Sequence, residues 1–240
     1  GSNYICRCRE FRIPCNQREW VDKRIVLLAD LHGNQFGSDN AGLIRKIQAS
    51  QPELILVAGD MVVKNGKGMK QCIKLMENLV KIAPVYYSLG NHETRLDDMD
   101  FFFKQIRDTG VTLLDNESQE ISWYGNSLKI TGLTLEEQYY HKFWKHVSLS
   151  EENMREYVGE ASNRSYELLL AHNPEYFPTY SAWGADLVLS GHVHGGIMSL
   201  PWGGAIAPSL RLFPKYCSGQ YELEDSHMIV SKGLGLHHIK

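Results

Sequence analysis

Several features that would indicate a class other than an ordinary globular protein are missing from the sequence. No apolar run approaches the roughly 18 residues of a membrane span, and no N-terminal apolar core typical of a signal peptide is present. Lys and Arg total 25 against 28 for Asp and Glu, so the basic excess of a general polyanion binder is missing. Nucleic acid is therefore not an expected partner. The 240 residues are enough to bury a core without disulfides or metal.

The cysteines are few and do not have the spacing of a disulfide framework; there are five, an odd number. Cys6 and Cys8 have the spacing of a metal or redox pair, but this motif alone is weak. They alternate with Arg7 and Arg9, which is typical of a half-buried strand, and we expect a strand over 4–13. We therefore expect the cysteines to be buried or half-buried packing residues.

Short apolar strands alternate with helices through much of the chain. Strands are predicted at 24–29, 54–58, 85–89, 120–123, 127–133, 166–171 and 186–190, and helices at about 41–49, 72–82 and 99–108. This alternation predicts an α/β fold with a largely parallel sheet. No linker or repeat interrupts it, so we expect one domain over 1–240, with a helical insert at about 135–160.

The predicted insert is rich in aromatic side chains. Four of them lie close together: Tyr139, Tyr140, Phe143 and Trp144. They are typical of the packing of an inserted helix pair. The alternative is that they form a wall or lid over a substrate site.

Five of the predicted strands end in side chains that commonly bind metals. In chain order the motifs are Asp-Leu-His at 30–32, Gly-Asp at 59–60, Gly-Asn-His-Glu at 90–93, His-Asn at 172–173 and Gly-His-Val-His at 191–194. Because ligands of α/β proteins gather at the carboxyl ends of strands, we expect these side chains to share one site. Within two motifs the ligands are two residues apart, and extended backbone would direct both to the same side.

The chemistry of these side chains restricts the metals that they could bind. Carboxylates, an amide and imidazoles, without thiolates, suit manganese, iron or zinc better than soft metals. The donors are too many for one tetrahedral ion. Since a carboxylate can bridge two ions about 3.5–4 Å apart, we expect a two-metal site.

The five motifs, in this order, resemble those of the calcineurin-like metallophosphoesterases. The resemblance runs from about residue 24 to 194 and includes every motif. Further matches at 195–196, 200–201, 212–216 and 231–235 are similar to a bacterial, often membrane-tethered branch related to UDP-2,3-diacylglucosamine pyrophosphatases. The resemblance implies an α/β fold, a two-sheet β-sandwich flanked by α-helices, with a dimetal site at the C-terminal ends of the strands.

The resemblance also implies a role for each motif residue. The first metal would be held by Asp30, His32 and His194, the second by Asn91, His172 and His192, and both by a bridging Asp60. The ions would be two divalent or trivalent metals, manganese, iron or zinc. They would supply a hydroxide that attacks phosphorus. His92 would not be a ligand; it would protonate the leaving oxygen as general acid, or help neutralise the phosphoryl oxygens.

One motif departs from that of the protein Ser/Thr phosphatases in this superfamily. Those enzymes carry Gly-Asp-x-Val-Asp-Arg-Gly, whereas residues 59–65 read Gly-Asp-Met-Val-Val-Lys-Asn. The Asp that orients the catalytic histidine and the Arg that contacts phosphate are both missing. This disfavours protein phosphatase activity and leaves His92 without an identified orienting group. Arg95 is a candidate substrate contact, with a solvated helix-start residue as the alternative.

Together these patterns predict a two-metal hydrolase of phosphodiester or pyrophosphate bonds. Its substrate would be a phosphorylated small molecule or a lipid-linked one. The alternatives are a phosphomonoesterase or protein phosphatase, a nuclease, and a non-catalytic scaffold on the same fold. Residues 1–2 are typical of a cloning remnant, and we expect the branch to continue with a further strand after residue 240. Any membrane association would run through a segment outside this sequence; localisation and oligomeric state are left open.

Overall fold

Two β-sheets lie face to face between outer layers of α-helices. The computed structural model describes residues 8–140, 147–192, 199–200, 203–204 and 216–234. Within these residues, apolar side chains form one cluster between the sheets and one cluster on the outer face of each sheet. The predicted α/β fold of two sheets flanked by helices is confirmed.

The strands are β1 (Ile25–Leu28), β2 (Leu54–Ala58), β3 (Val85–Ser88), β4 (Thr112–Leu114), β5 (Glu117–Trp123), β6 (Asn126–Leu133), β7 (Tyr166–Ala171), β8 (Leu187–Ser190), β9 (Ser199–Leu200), β10 (Gly203–Gly204), β11 (Gly219–Leu223) and β12 (Ser226–Val230). The helices are α1 (Ala41–Ser50), α2 (Met69–Leu79), α3 (Met99–Asp108), α4 (Glu151–Val158) and α5 (Phe177–Trp183). No helix in the described part of the chain has the length and apolar character that a membrane crossing requires.

The two large sheets differ in size but share a parallel centre. The first has the order β1-β2-β3-β4, and all of its pairs are parallel. The second has the order β11-β12-β8-β7-β6-β5, with antiparallel pairs at its two edges and parallel pairs between them. In each sheet the carboxyl ends of the parallel strands therefore lie at the same edge, where ligand sites of α/β folds form.

Successive side chains of β2 alternate between two apolar clusters, so this strand contributes to two layers of the core. Leu54 and Leu56 pack into the cluster between the sheets, and Ile55 and Val57 pack outward against α1, α2 and α3. All of them are buried because both faces of this parallel sheet are covered. A fully buried side chain of this size contributes about 2 kcal/mol relative to an exposed one. This packing holds the end of β2, and the loop that follows it, in a fixed place.

The prediction of a strand over 4–13 is wrong for the residues that the structure describes. Residues 8–13 form no strand, and residues 4–7 lie outside the described part. Phe11 and Ile13 instead pack against the cluster between the sheets, while their neighbours are exposed. The alternation in the sequence thus reflects alternate side-chain packing, and residues 8–13 do not pair with a strand. Cys8 and Cys15, expected to be at least half-buried, are exposed, whereas Cys72 is buried.

The segment predicted as a helical insert holds two short helical pieces. A 3-10 turn covers Glu137–Tyr140 and α4 covers Glu151–Val158. Residues 141–146, which include Phe143 and Trp144, lie outside the described part. Tyr139 packs in the apolar cluster on the outer face of the second sheet.

Candidate metal centre

Six of the seven predicted metal ligands lie in loops that leave the carboxyl ends of parallel strands. Asp30 and His32 follow β1, Asp60 follows β2, Asn91 follows β3, His172 follows β7 and His192 follows β8. The seventh, His194, lies outside the described residues. The strands β1, β2 and β3 are neighbours in one sheet, and β7 and β8 are neighbours in the other. The two sheets therefore bring these loops together at one edge of the sandwich.

Asp60 lies at the centre of this arrangement. Its Oδ2 is 3.2 Å from Nε2 of His172, 3.9 Å from Nε2 of His32 and 4.0 Å from Nε2 of His92. Its Oδ1 accepts a hydrogen bond from the backbone N–H of His92 at 2.8 Å. One buried carboxylate thus faces imidazoles from both sheets.

Asp30 is the second buried carboxylate of the site. Its Oδ1 is 3.7 Å from Nε2 of His32 and 3.8 Å from Nε2 of His172. The same carboxylate accepts the backbone N–H of His192, at 3.2 Å on Oδ1 and 3.1 Å on Oδ2. This contact connects the loop after β8 to the loop after β1.

Two groups of side chains are close enough to hold a metal ion each. One is His32, Asp60 and His92, and the other is Asp60, His172 and His192; within each, the ligand atoms lie within 4.8 Å of one another. Asp60 belongs to both groups, which is the geometry that a bridging carboxylate requires. His92 belongs to the first group, although the resemblance implies that it is not a ligand.

The ring of His172 has a defined orientation. Its Nδ1 lies 2.6 Å from the carbonyl oxygen of Ala58, which can only accept a hydrogen bond. In the neutral ring the proton is therefore on Nδ1, and the lone pair of Nε2 is directed at the carboxylates. A hydrogen bond from the second ring nitrogen to a backbone carbonyl is the usual support of a metal-binding histidine.

The donors fit a pair of cations. Among the described residues, Oδ1 of Asn91 is buried without a hydrogen-bond partner, which is costly unless something binds it. Burial disfavours a charge on His172, yet the carboxylates of Asp60 and Asp30 outweigh it and raise its pKa to about 10. The site thus has a negative potential that favours positive charge, and it offers the oxygen and nitrogen ligands that manganese, iron and zinc accept.

Four of the predicted ligands have left-handed backbone conformations. The φ angle is 55° at Asp30, 48° at His32, 56° at Asp60 and 71° at His192. Residues with a Cβ pay about 1–2 kcal/mol for this conformation, and such strain concentrates at functional sites. The expectation that extended backbone aligns Asp30 with His32 is therefore wrong. A tight left-handed turn brings both side chains to the site.

Glycines allow the ligand loops to pack directly on one another. A Cβ on Gly59 would lie 2.3 Å from the backbone N of Gly90, and a Cβ on Gly90 would lie 2.6 Å from the backbone N of Asp60. A Cβ on Gly191 would lie 2.6 Å from Oδ2 of Asp30. Since no real Cβ tolerates such distances, a side chain at any of these positions would push the ligands apart.

Glu93 connects two of the ligand loops from beneath the site. Its buried carboxylate accepts four hydrogen bonds, two on each oxygen. The donors are the backbone N–H groups of Asp60 at 2.8 Å, Met61 at 2.7 Å and Gly90 at 3.0 Å, and the hydroxyl of Tyr87 at 2.7 Å. Burial and the nearby charge of Asp60 raise the pKa of Glu93, and these hydrogen bonds oppose that rise. The carboxylate thereby fixes Asp60 relative to Asn91 and His92.

The orienting group of His92, which the sequence left open, is a backbone amide. The N–H of Lys64 donates to Nδ1 of His92 at 3.2 Å. The turn that presents this amide is closed by a hydrogen bond from the N–H of Val63 to the carbonyl of Lys67 at 3.0 Å. Neutral His92 therefore carries its proton on Nε2, the nitrogen that faces Asp60. This main-chain donor fixes the ring in the tautomer opposite to the one a carboxylate would select, because a carboxylate would accept a hydrogen from Nδ1.

Arg95 lies in a 3-10 turn, Glu93–Arg95, immediately after His92. Its guanidinium is 2.8 Å from the carboxylate of Glu137. Glu137 begins a separate 3-10 turn, which ends at Tyr140. The ring of Tyr140 packs against His192 at 5.1 Å and His172 at 6.1 Å between centroids. Tyr140 thus forms part of the wall of the site, and both Tyr139 and Tyr140 pack in the outer apolar cluster of the second sheet.

A conserved-family sequence model agrees with the fold and the site. The model of the calcineurin-like phosphoesterase family matches residues 23–196, and the chain belongs to this family. Calcineurin-like phosphoesterases use dinuclear metal centres, and the chain supplies candidate histidine and aspartate ligands for one. The predicted membership of the calcineurin-like metallophosphoesterases is confirmed.

Individual relatives are similar at moderate identity. Phosphodiesterase YaeI of Escherichia coli is 26% identical over 224 residues, which cover 88% of this chain and 75% of YaeI. An uncharacterised metallophosphoesterase of Campylobacter jejuni is 25% identical over 224 residues, which cover 89% of this chain and 54% of that protein. The chain spans about half the length of some of the curated relatives it matches.

A solved structure shows the same fold. A crystal structure of a dimetal phosphatase from Danio rerio is similar with a TM-score of 0.50 and 12% sequence identity, covering 88% of this chain and 87% of that chain. At this identity the similarity concerns the fold alone.

Proposed function

We propose that the protein is a two-metal phosphodiesterase that cleaves a P–O bond of a phosphodiester or pyrophosphate. The observation that carries this proposal is the position of Asp60, whose Oδ2 lies within 4.0 Å of three imidazole nitrogens. Two cations sharing this carboxylate would lower the pKa of water and neutralise charge on the phosphoryl oxygens. The missing Asp and Arg of the protein phosphatase motif, and the similarity to YaeI, favour a diester over a phosphoprotein.

The residues would divide into two ligand sets and one proton donor. We assign Asp30, His32 and His194 to one ion, Asn91, His172 and His192 to the other, and Asp60 to both. As general acid, His92 would be the imidazolium, which gives its Nε2 proton to the leaving oxygen and keeps the proton on Nδ1. The contact from the N–H of Lys64 to Nδ1, which belongs to the neutral ring, would open in that state. The ions would be manganese, iron or zinc, since oxygen and imidazole donors accept each of them and availability decides among them.

Metal binding is expected to raise the melting temperature. Metal-free protein should melt roughly 5–10 °C below protein with free Mn²⁺ at about 100 times its Kd, because an ion that binds only the native state stabilises it by mass action. Differential scanning calorimetry, with Zn²⁺ and Fe²⁺ in parallel and elemental analysis of the loaded protein, measures this. No shift with any of the three metals would contradict the ligand assignment.

The contribution of His92 should depend on the leaving group. In His92→Ala we expect the rate to fall by about 10²–10⁴-fold for diesters with poorly acidic alcohols, and by clearly less for bis(4-nitrophenyl) phosphate. A nitrophenolate leaves without a proton, whereas an alkoxide needs one. The measurement is kcat/KM for a series of aryl and alkyl diesters with the metal-loaded protein. An equal deficit across the series would exclude proton donation and leave His92 as a hydrogen-bond donor to phosphate.

A further inference from the structure

An ion pair spans the edge of the candidate site. Nη2 of Arg95 lies 2.8 Å from Oε1 of Glu137, and it joins the 3-10 turn after His92 to the 3-10 turn that ends at Tyr140. The side chain of Arg95 is 30% exposed and that of Glu137 is 57% exposed. The pair is thus open to water and to a ligand. An ion pair this exposed contributes at most about 1 kcal/mol, so a ligand can compete for either partner.

The ion pair joins two turns that border the site. The backbone N–H of Arg95 donates to the carbonyl of His92 at 3.3 Å. The turn that carries Glu137 ends at Tyr140, whose ring packs against His192 and His172 at 5.1 and 6.1 Å between centroids. The pair therefore lies at the edge of the site.

Arg95 can contact a ligand without leaving Glu137. Its Nη2 is engaged by Glu137, and its Nε is buried, out of reach of a ligand. Since 30% of the side chain is exposed, a substrate can contact that exposed part while Glu137 still neutralises the charge.

The charge of the pair discriminates between two classes of phosphate. A phosphodiester carries one negative charge at pH 7, whereas a phosphomonoester, with a second pKa of about 6, carries close to two. A free arginine would favour the second charge, but an arginine neutralised by a carboxylate does not, and the carboxylate itself repels it. We propose that the Arg95–Glu137 pair makes the site selective for monoanionic phosphodiesters over dianionic monoesters. This inference rests on the proposed function and specifies its substrate class.

The same pair would assist release of the product. Hydrolysis of a diester by water breaks one P–O bond and gives an alcohol and a phosphomonoester, whose second acidic proton is largely lost at pH 7. Near Glu137 this additional charge is unfavourable. The pair thus distinguishes the product from the substrate by one unit of charge.

The test is the variant Glu137→Gln, assayed with two substrates that share one leaving group. These are bis(4-nitrophenyl) phosphate and 4-nitrophenyl phosphate. We expect the ratio of diester to monoester kcat/KM to fall roughly fivefold, and the change to shrink at 1 M salt because the pair is exposed. A ratio that changes less than about twofold would overturn the proposal. Glu137→Ser removes the same charge and replaces the glutamine variant if that variant does not fold.

Two controls separate this pair from a general change of charge. Glu136→Gln removes the neighbouring carboxylate, which accepts from the side chain of Gln138 rather than from a cation. It should leave the ratio unchanged, and an equal shift would refute a specific role for Glu137. Arg95→Gln removes the positive charge and keeps Glu137, so it should raise the ratio, whereas a ratio that stays the same or falls would exclude Arg95 as part of the discrimination.

Binding of inorganic phosphate tests the pair without turnover. Isothermal titration calorimetry on the metal-loaded protein should give a roughly fivefold lower Kd for Glu137→Gln than for the wild type. An unchanged Kd would overturn the proposal even in a protein that hydrolyses diesters. A wild type that hydrolyses neither substrate, while Glu137→Gln still binds phosphate more tightly, would refute the proposed function and retain the charge selection.

Discussion

Asp60→Asn is expected to lower kcat/KM for bis(4-nitrophenyl) phosphate by at least about 10³-fold and to remove both metals together. The carboxylate belongs to both candidate ligand groups, so one substitution weakens both positions. Asparagine keeps an oxygen that can accept the N–H of His92, which Oδ1 of Asp60 accepts at 2.8 Å. The loop should therefore keep its shape while the charge is lost.

Elemental analysis after dialysis and the diesterase rate measure this prediction. Asp108→Asn is the matched control, because Asp108 is an exposed carboxylate at the end of α3 whose ion pair is with Lys104. It should retain full activity and two metals. If Asp60→Asn kept two tightly bound ions, Asp60 would not be a bridging ligand.

Glu93→Gln should reduce the free energy of unfolding by about 3–4 kcal/mol and also impair catalysis. Both carboxylate oxygens accept two donors each. The amide nitrogen of glutamine would face two of these donors with hydrogens of its own. The Tyr87 hydroxyl can turn to accept, but a backbone N–H cannot, so at least one hydrogen bond becomes a repulsive contact and the others lose their charge. The loops that carry Asp60 and His92 would then separate.

Urea unfolding of the metal-free protein separates this effect from metal binding. Tyr87→Phe is the graded control, since it removes one of the four donors and should cost about 1–2 kcal/mol. A stability of Glu93→Gln within about 1 kcal/mol of the wild type would show that the loops are held by other contacts.

The ligand positions were predictable because each follows an apolar strand directly. Apolar runs such as 54–58 specify a buried strand, and a polar residue at its end must lie at the edge of the sheet. By contrast, β4 has only three residues, too few for a periodic pattern, and β12 is buried on both faces, so it does not alternate.

Other parts of the site cannot be recognised from the residue types in the sequence. The group that orients His92 is the main-chain N–H of Lys64, and every residue except proline has such a group. The pairing of Arg95 with Glu137 joins residues 42 positions apart, and only the tertiary fold brings them together. The left-handed turn at Asp30 and His32 was missed because neither residue is a glycine.

The left-handed ligands have a consequence for directed evolution. Glycine adopts the backbone of Asp30, His32, Asp60 and His192 without steric cost, whereas each native residue requires strain that bound cations would offset. A laboratory screen for heat resistance in chelator would therefore favour glycine at His32 and His192, whereas Asp30 and Asp60 accept backbone hydrogen bonds that glycine would lose. Such a screen would select proteins of higher thermal stability that have lost the metal centre. Selection for stability must therefore be run with metal present if the activity is to survive.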